Sequence, residues 1–206
     1  FGHKRGAFTG AERDRKGHLL AADGGTLFLD EVGELGLEEQ AMLLTALEDG
    51  RFYPVGADAP VRSRFALVCG TNRELRAEVR AGRVRDDLLA RVSVWSFRLP
   101  PLRERREDIE ANVRFELEAF AERYRTKARF SRTALARYLA FARSDEARWP
   151  HNFRDLSQSV LRMACLAGEG LIDTDDVEKE LQTLRVRWAG AAVEPASGEA
   201  AGACVA

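Results

Sequence analysis

The chain has 206 residues, of which 45% are hydrophobic and 32% are charged. That balance is typical of a folded protein of one domain or two small ones, and it excludes an intrinsically disordered chain. Lys and Arg (32) nearly balance Asp and Glu (33), so the net charge of -1 gives no overall field for nucleic acid or a membrane surface. No apolar run reaches the roughly 18 residues that a membrane span needs.

The cysteines and histidines predict neither a disulfide framework nor a metal centre. The three cysteines lie far apart, and no histidine has a partner at metal-ligand spacing. We therefore expect a reducing, cytoplasmic compartment. The first residues lack the apolar segment of a signal peptide. The chain starts at Phe1 without Met, so we expect a fragment or a processed piece.

The first hundred residues predict an α/β layer. Two continuous apolar runs, at 26–29 and 65–69, are typical of parallel strands covered on both faces. Residues 37–47 between them have an apolar helical face that includes Leu37, so the order strand, helix, strand indicates a sheet with right-handed crossovers. Residues 92–99 alternate and predict a third strand.

Beyond the third strand, the spacing predicts only helices from residue 106 to residue 188. Ser131 and Asn152 are candidate N-caps. The last residues are rich in small side chains, which predicts disorder. We therefore predict an α/β part at 1–100, a helical part at 101–188 and a disordered tail at 189–206.

Polar side chains follow the first two predicted strands. Asp30 and Glu31 follow one strand, and Thr71 and Asn72 follow the other. Ligands of parallel sheets bind beyond the carboxyl ends of the strands. An acidic pair there suits a Mg²⁺-nucleotide, with the first carboxylate holding the metal through water and the second polarising an attacking water. The open alternative is structural, since Asp-Glu pairs also cap the helix that follows a strand.

Three arginines are candidates for binding an anionic ligand. Arg85 and Arg91 lie in one helical segment, where Asp87 and Arg91 at i,i+4 spacing also suit an ordinary surface pair. Arg154 follows the candidate cap at a helix start. A cation there opposes the helix dipole and favours an anionic partner.

The stretch at 6–11 (Gly6, Ala7, Phe8, Thr9, Gly10, Ala11) places two glycines around one aromatic residue. One interpretation is a mobile loop with a locally packed Phe8. The other is a loop tip that offers Phe8 to a partner, since exposed aromatic side chains anchor interfaces.

Six motifs occur in an order that resembles one protein family. They are GAFTGA at 6–11, GTLFLDE at 25–31, GTN at 70–72, VRDDLLARV at 84–92, LPPLRERREDI at 99–109 and NFRDL at 152–156. Over about residues 1–188, the chain resembles the AAA+ domain of bacterial sigma-54-dependent transcriptional activators, the enhancer-binding proteins. Its FYPVGADAPVRSRF and VWSFRLP segments look more like the subgroup that regulates RNA-repair (RNA 3'-phosphate cyclase and ligase) operons.

The resemblance implies an α/β fold: a partial AAA+ P-loop NTPase parallel sheet followed by a small α-helical lid. It also implies ATP and Mg²⁺ as cofactors. Asp30 and Glu31 match the acidic pair for Mg²⁺ (bound by Asp30 through water) and for water activation. Thr71 and Asn72 match the first sensor of the γ-phosphate.

The remaining site residues follow from the same resemblance. Arg85 and Arg91 match arginine fingers that reach the ATP of the neighbouring subunit, and Arg154 matches the second sensor in the lid. Residues 6–11 match the loop that touches sigma-54, and residues 51–56 look like a supporting second loop.

The resemblance also implies partners. These are sigma-54 RNA polymerase holoenzyme, further copies of the chain in a ring expected to be hexameric, and enhancer DNA through a domain outside these residues. No membrane partner is expected.

The sequence departs from the family pattern in two ways. The family's phosphate loop, GxxxxGK[ST], does not occur in these 206 residues, so we expect this chain alone not to hydrolyse ATP. His151 stands where the family usually has Gly, which bears on the Asn152 cap and on the role of Arg154. Two alternatives stay open: a non-catalytic interaction module, and a different AAA+ machine such as a clamp loader.

Overall fold

The computed structural model describes residues 1–190 and 202–205 and divides the chain into two compact units. The first unit contains Phe1–Leu99 and Gly202–Val205, and the second begins at Pro100. In the part of the chain that is described, no helix is long and apolar enough to cross a membrane.

The first unit is an α/β unit with a four-stranded sheet. Its elements are α1 (Gly17–Ala21), β1 (Thr26–Leu29), α2 (Leu37–Asp49), β2 (Arg51–Phe52), β3 (Val61–Arg62), β4 (Ala66–Thr71), α3 (Leu75–Arg80), α4 (Asp86–Val92), β5 (Trp95–Arg98) and β8 (Gly202–Val205). The sheet order is β1-β4-β8-β5. Strands β1 and β4 are parallel, with Thr26 paired to Ala66 and Leu29 to Cys69. This pair, with α2 between its strands, confirms the predicted α/β fold.

One face of this sheet is packed and the other is open. Leu27, Leu67 and Cys69 belong to a core that includes side chains of α2, α3 and α4. On the opposite face, Phe28 is 60% exposed. The prediction that both strands are covered on both faces is therefore wrong for this unit. The continuous apolar run reflects side chains on both faces. Among the described residues, the core side chains of α2, α3 and α4 pack against the face that carries Leu27 and Leu67.

One predicted boundary and one predicted helical face also differ from the structure. The third strand begins at Trp95 and not at residue 92, because Val92 completes the buried stripe of α4 one turn after Leu88. In α2, Leu37 is half exposed, and the buried positions are Gln40, Leu43 and Ala46.

The second unit is a small helical bundle. Its elements are α5 (Asp108–Tyr124), β6 (Arg129–Phe130), α6 (Arg132–Ala142), α7 (Phe153–Leu166), β7 (Leu171–Ile172) and α8 (Thr174–Gly190). Helices pack around the fully buried Tyr138 and Trp149. The parallel pair β6–β7 corrects the prediction of helices only. Two-residue strands are too short to leave a periodic pattern in the sequence.

Of the two predicted caps in this bundle, one is confirmed. The Ser131 hydroxyl accepts a hydrogen bond from the Ala134 N–H at 3.2 Å. Asn152 precedes α7 with φ +51°, but its side chain accepts from the Leu102 N–H at 2.8 Å and does not cap the helix. Asn152 therefore fixes the start of the bundle to the start of α7.

The predicted disordered tail at 189–206 needs correction where the structure describes it. Helix α8 continues to Gly190, and β8 pairs antiparallel with both β4 and β5. Composition could not predict this strand, because its pairing uses backbone groups that β4 and β5 present. The rest of that prediction, at 191–201 and at 206, lies outside the described residues.

Candidate functional site

The acidic pair lies at the carboxyl end of β1, beside the end of β4. Since Leu29 is paired with Cys69, the chain continues into Asp30 next to Gly70. Asp30 is exposed and Glu31 is half-buried. Glu31 has a left-handed backbone conformation (φ +52°). The Asn72 N–H donates to Glu31 Oε2 at 3.3 Å. The structure thus brings both acids together with the second polar segment, as the sequence predicts.

Gly70 makes room for the first acid. A Cβ atom at this position would lie 2.8 Å from Asp30 Oδ1 and 3.3 Å from Phe28 Cζ. The carboxylate of Asp30 therefore rests against the backbone of β4, where any larger residue would displace it. The same Oδ1 atom accepts from the Glu31 N–H at 3.1 Å.

An ionic network connects the loops around this corner. The Thr71 hydroxyl accepts from the Arg73 N–H at 3.1 Å. The Arg73 guanidinium binds Glu34, in the 3₁₀ turn after Glu31, and Glu78 at 3.3 Å. Glu78 is also held by Arg83, through Nε at 2.7 Å and Nη2 at 2.8 Å. Hydrogen bonding from Arg83, and then from Arg73, lowers the pKa of Glu78 to about 2.

The two predicted arginine fingers are exposed on α4. Arg85 is its N-terminal flanking residue, and Arg91 lies in its last turn. The Arg85 guanidinium forms a two-pronged pair with Asp87, at 3.0 and 2.6 Å, which raises the pKa of Arg85. Arg91 Nη2 donates to the Leu47 carbonyl at 3.2 Å. Asp87 thus pairs with Arg85 instead of the i,i+4 partner that the sequence allows.

The corner formed by Asp30 and Glu31 beside Thr71 and Asn72, called here the acidic corner, suits a hydrated metal ion. In the described residues no three His, Cys, Asp or Glu side chains form a metal cluster. Mg²⁺ usually keeps several waters and takes one or two carboxylates together with substrate phosphates. Asp30, exposed at the strand end, fits that kind of ligand set.

Residues 6–11 form a projecting loop, called here the Phe8 loop. Reciprocal hydrogen bonds between His3 and Arg15, at 2.9 and 2.8 Å, close its base. The Phe8 side chain is 53% exposed, with its ring 4.9 Å from the His3 ring in an edge contact. The geometry agrees with a tip that offers an aromatic side chain and also includes a local packing contact.

Two glycines shape the Phe8 loop through their backbone conformation. Gly6 and Gly10 have φ values of +82° and +97°, and a Cβ atom at either position would have no neighbouring atom within 4 Å. The Gly6 N–H donates to the Ala11 carbonyl at 2.8 Å. Glycine is needed here for positive φ and not for space.

Residues 51–56, called here the bracing loop, lie against the Phe8 loop. Val55 accepts from the Lys4 N–H at 2.9 Å and donates to the Gly2 carbonyl at 3.0 Å. A Cβ at Gly56 would lie 2.7 Å from Ala7 Cβ. The two loops therefore meet closely at backbone level.

Arg154 lies in the second unit, exposed in the first turn of α7. Its N–H donates to the His151 carbonyl at 3.1 Å. The neighbouring Asp155 is buried and accepts from the His151 N–H at 2.9 Å. His151 and Asp155 thus close the turn that presents Arg154.

The sequence analysis assigns no role to three residues of this region: Gln40, Gly70 and Glu78. Gln40 could have been found, because it lies three residues before Leu43 on the apolar stripe of α2, where a polar side chain is unusual. Gly70 is part of the GTN motif, but its steric role beside Asp30 depends on the pairing of β1 with β4. Glu78 lies five residues from Arg73 and from Arg83, a spacing that permits these ion pairs but does not select them.

Two family models match almost the whole chain. The sigma-54 interaction domain matches residues 1–98, and the AAA+ ATPase lid domain matches residues 103–192. The chain therefore belongs to the AAA+ family of sigma-54-dependent transcriptional activators.

Individual proteins support this membership. The transcriptional regulatory protein RtcR of Escherichia coli K12 is 52% identical over 188 residues, which are 91% of this chain and 35% of RtcR. The anaerobic nitric oxide reductase transcription regulator NorR of Vibrio vulnificus YJ016 is 49% identical over 167 residues, 81% of this chain and 32% of NorR. The chain spans about a third of the length of these curated relatives.

Solved structures agree with the fold. A crystal structure of NtrX from Brucella abortus has a TM-score of 0.74 and 30% identity, covering 85% of this chain and 39% of NtrX. NtrX in complex with ATP has a TM-score of 0.65 and 30% identity, covering 82% of this chain and 41% of NtrX.

Proposed function

We propose that this chain is the motor part of an ATP-driven activator of sigma-54 RNA polymerase. The observation that carries the proposal is the acidic corner: Asp30 and Glu31 lie beside the Thr71–Asn72 segment, in the unit that also projects the Phe8 loop. An acidic site and a partner-binding tip in one unit fit a protein that converts hydrolysis into movement.

The residues of the acidic corner divide the chemistry between them. Mg²⁺ bound with ATP supplies neutralisation of the phosphate charge. Asp30 would hold the metal through water, and Glu31 would polarise the attacking water. The Asn72 N–H restrains Glu31. Thr71 and Asn72 are proposed as the first sensor of the γ-phosphate.

A homo-oligomeric ring, with six subunits expected, completes each site. Arg85 and Arg91 are exposed, and in this proposal they bind the nucleotide of the neighbouring copy. Arg154, which is also exposed, is proposed as the second sensor of the nucleotide. An arginine supplied from outside the active site is worth about 10³–10⁵ in rate in related phosphoryl transfer. The likeness to ATP-bound NtrX supports ATP as the nucleotide.

The Phe8 loop transmits the movement to sigma-54 in the cytoplasm. The bracing loop supports it through the contact between Gly56 and Ala7. Enhancer DNA is bound through a separate domain. The 52% identity with RtcR favours the RNA-repair subgroup within the family.

The experiment uses an RtcR chimaera, in which this chain replaces the 188-residue RtcR segment that it matches. We expect the chimaera to hydrolyse ATP and to activate a sigma-54 promoter. Phe8→Ala should leave hydrolysis nearly unchanged but lower activation more than about 30-fold, since an exposed aromatic anchor is a binding hot spot. Phe115→Ala, which removes an exposed phenylalanine of α5, is the control. Retained activation by Phe8→Ala would disprove the role of the loop.

A further inference from the structure

Gln40 in α2 is a polar side chain with no exposed surface. A buried amide is costly unless its polar atoms are hydrogen-bonded. Three backbone groups satisfy it: Nε2 donates to the Leu35 carbonyl at 2.7 Å and the Arg83 carbonyl at 2.8 Å, and Oε1 accepts from the Arg85 N–H at 2.9 Å.

These three bonds connect two parts of the candidate site. Leu35 directly follows the 3₁₀ turn Val32–Glu34, which begins after Glu31. Arg83 and Arg85 belong to the loop between α3 and α4. The Gln40 side chain therefore connects the loop that carries Arg85 to the turn that follows Glu31.

With the bond to Gln40, both the N–H and the carbonyl of Arg85 are hydrogen-bonded. The Arg85 carbonyl already accepts the first hydrogen bond of α4, from the Leu89 N–H at 3.1 Å, and Gln40 holds the Arg85 N–H. The preceding Arg83 is held twice, by Gln40 at its carbonyl and by Glu78 at its guanidinium. Only the side chain of Arg85 remains to move, from Asp87 towards an anionic ligand.

We propose that Gln40 is a positioning residue: it sets Arg85 for the phosphate of the nucleotide on the neighbouring subunit. The inference rests on the proposed function for the identity of that ligand. The hold of Gln40 on the Arg85 backbone does not depend on it. A misplacement of about 1 Å in a catalytic group can cost about 10²-fold in rate.

The first experiment measures amide hydrogen exchange in the 206-residue chain. Gln40→Met keeps the length and removes all three bonds, so exchange at the Arg85 amide should accelerate about tenfold or more while the Leu67 amide of β4 stays protected. Gln40→Glu keeps an acceptor for the Arg85 N–H and should retain more of its protection. Gln182→Met, on the exposed side of α8, is the matched control. Unchanged exchange at Arg85 in Gln40→Met would overturn the proposal.

The second experiment mixes subunits of the RtcR chimaera. Gln40→Met should lower kcat with little change in KM. Mixed with Glu31→Gln subunits, which keep a well-placed Arg85, the variant should regain hydrolysis, because its own acids are intact. Mixed with Arg85→Ala subunits it should regain none.

The outcomes of these experiments separate the positioning of Arg85 by Gln40 from the proposed function in ATP hydrolysis. Recovery with Arg85→Ala but not with Glu31→Gln would mean that Gln40 acts on the acids, and it would overturn the positioning of Arg85. If the unmodified chimaera hydrolyses no ATP, the proposed function fails, and the exchange measurement alone decides whether Gln40 holds Arg85.

Discussion

At the end of β4, Gly70 leaves room for a hydrogen atom but not for a methyl group beside Asp30. We predict that Gly70→Ala displaces this carboxylate and lowers ATP hydrolysis by the RtcR chimaera about 10- to 100-fold, measured as kcat. Gly25→Ala is the matched control, since the nearest atom to its Cβ, the Ala22 carbonyl oxygen, lies at an ordinary 3.5 Å. Equal rates for both variants would contradict the steric argument.

Glu78 gives the site a defined acid sensitivity. Its pKa in the folded chain is about 2, well below the roughly 4.3 of an unperturbed Glu, because Arg83 and Arg73 stabilise the carboxylate. Because the pKa of Glu78 is lower in the folded chain than in the unfolded chain, its ionised carboxylate stabilises the fold at pH values above the unfolded pKa. That stabilisation is lost as the pH falls towards 2.

We therefore predict that Glu78→Gln unfolds at lower urea concentration than the unmodified chain at neutral pH. The difference should shrink as the pH falls from about 4.3 towards 2, measured by urea unfolding at several pH values. Glu48→Gln, at an exposed position of α2, is the control. A difference that stays constant with pH would mean that the ion pairs do not stabilise the fold.

At the scale of elements, the bracing loop and the Phe8 loop share one tight contact. Gly56→Ala adds a methyl group 2.7 Å from Ala7 Cβ, so we predict that it displaces the Phe8 loop and weakens sigma-54 activation while ATP hydrolysis continues. Gly24→Ala is the control. Gly24 has the same φ of +73° but no atom within 4 Å, so it carries the backbone strain without the clash. Activation by Gly56→Ala equal to that of the control would refute the coupling of the loops.

The elements differ in how far sequence could predict them. Strand β1 and the N-cap Ser131 were predictable, because local periodicity and a local hydrogen bond define them. The prediction that Asn152 caps α7 is wrong, because its side chain accepts a hydrogen bond from the Leu102 N–H, 50 positions away. Strand β8 depends on pairing with distant segments, which no local pattern encodes. Glu78 lies only five residues from Arg73 and from Arg83, but sequence spacing does not show which of the many charged residues pair.

The site itself was predictable in its residue types but not in its geometry. The acids and polar residues at the strand ends were identified, since parallel strands bring their carboxyl ends to one edge. The anchoring by Gln40 could not be predicted, because it requires the packing of α2 against α4. The pairing of Arg85 with Asp87 is local, but the spacing equally allowed Asp87 to pair with Arg91.

At the scale of the whole molecule, these 206 residues contain no GxxxxGK[ST] segment. We predict that calorimetric titration of the 206-residue chain with Mg-ATP gives no binding tighter than about 1 mM, because the backbone cradle for the phosphates is not among its residues. The RtcR chimaera should bind at least tenfold more tightly by the same measurement. Normal turnover by the isolated chain, abolished by Glu31→Gln, would contradict this prediction.

The open face of the sheet has a practical consequence. Register places Phe28 and Trp95 in one row across the strands, with Phe97 two residues further along β5 on the same side. These rings are between 55% and 65% exposed. An exposed hydrophobic patch of this kind promotes self-association, so a purified sample should aggregate unless the patch is covered. Detergent or dilution should keep the protein dispersed, and fluorescence of Trp95 should shift to the blue as particles form.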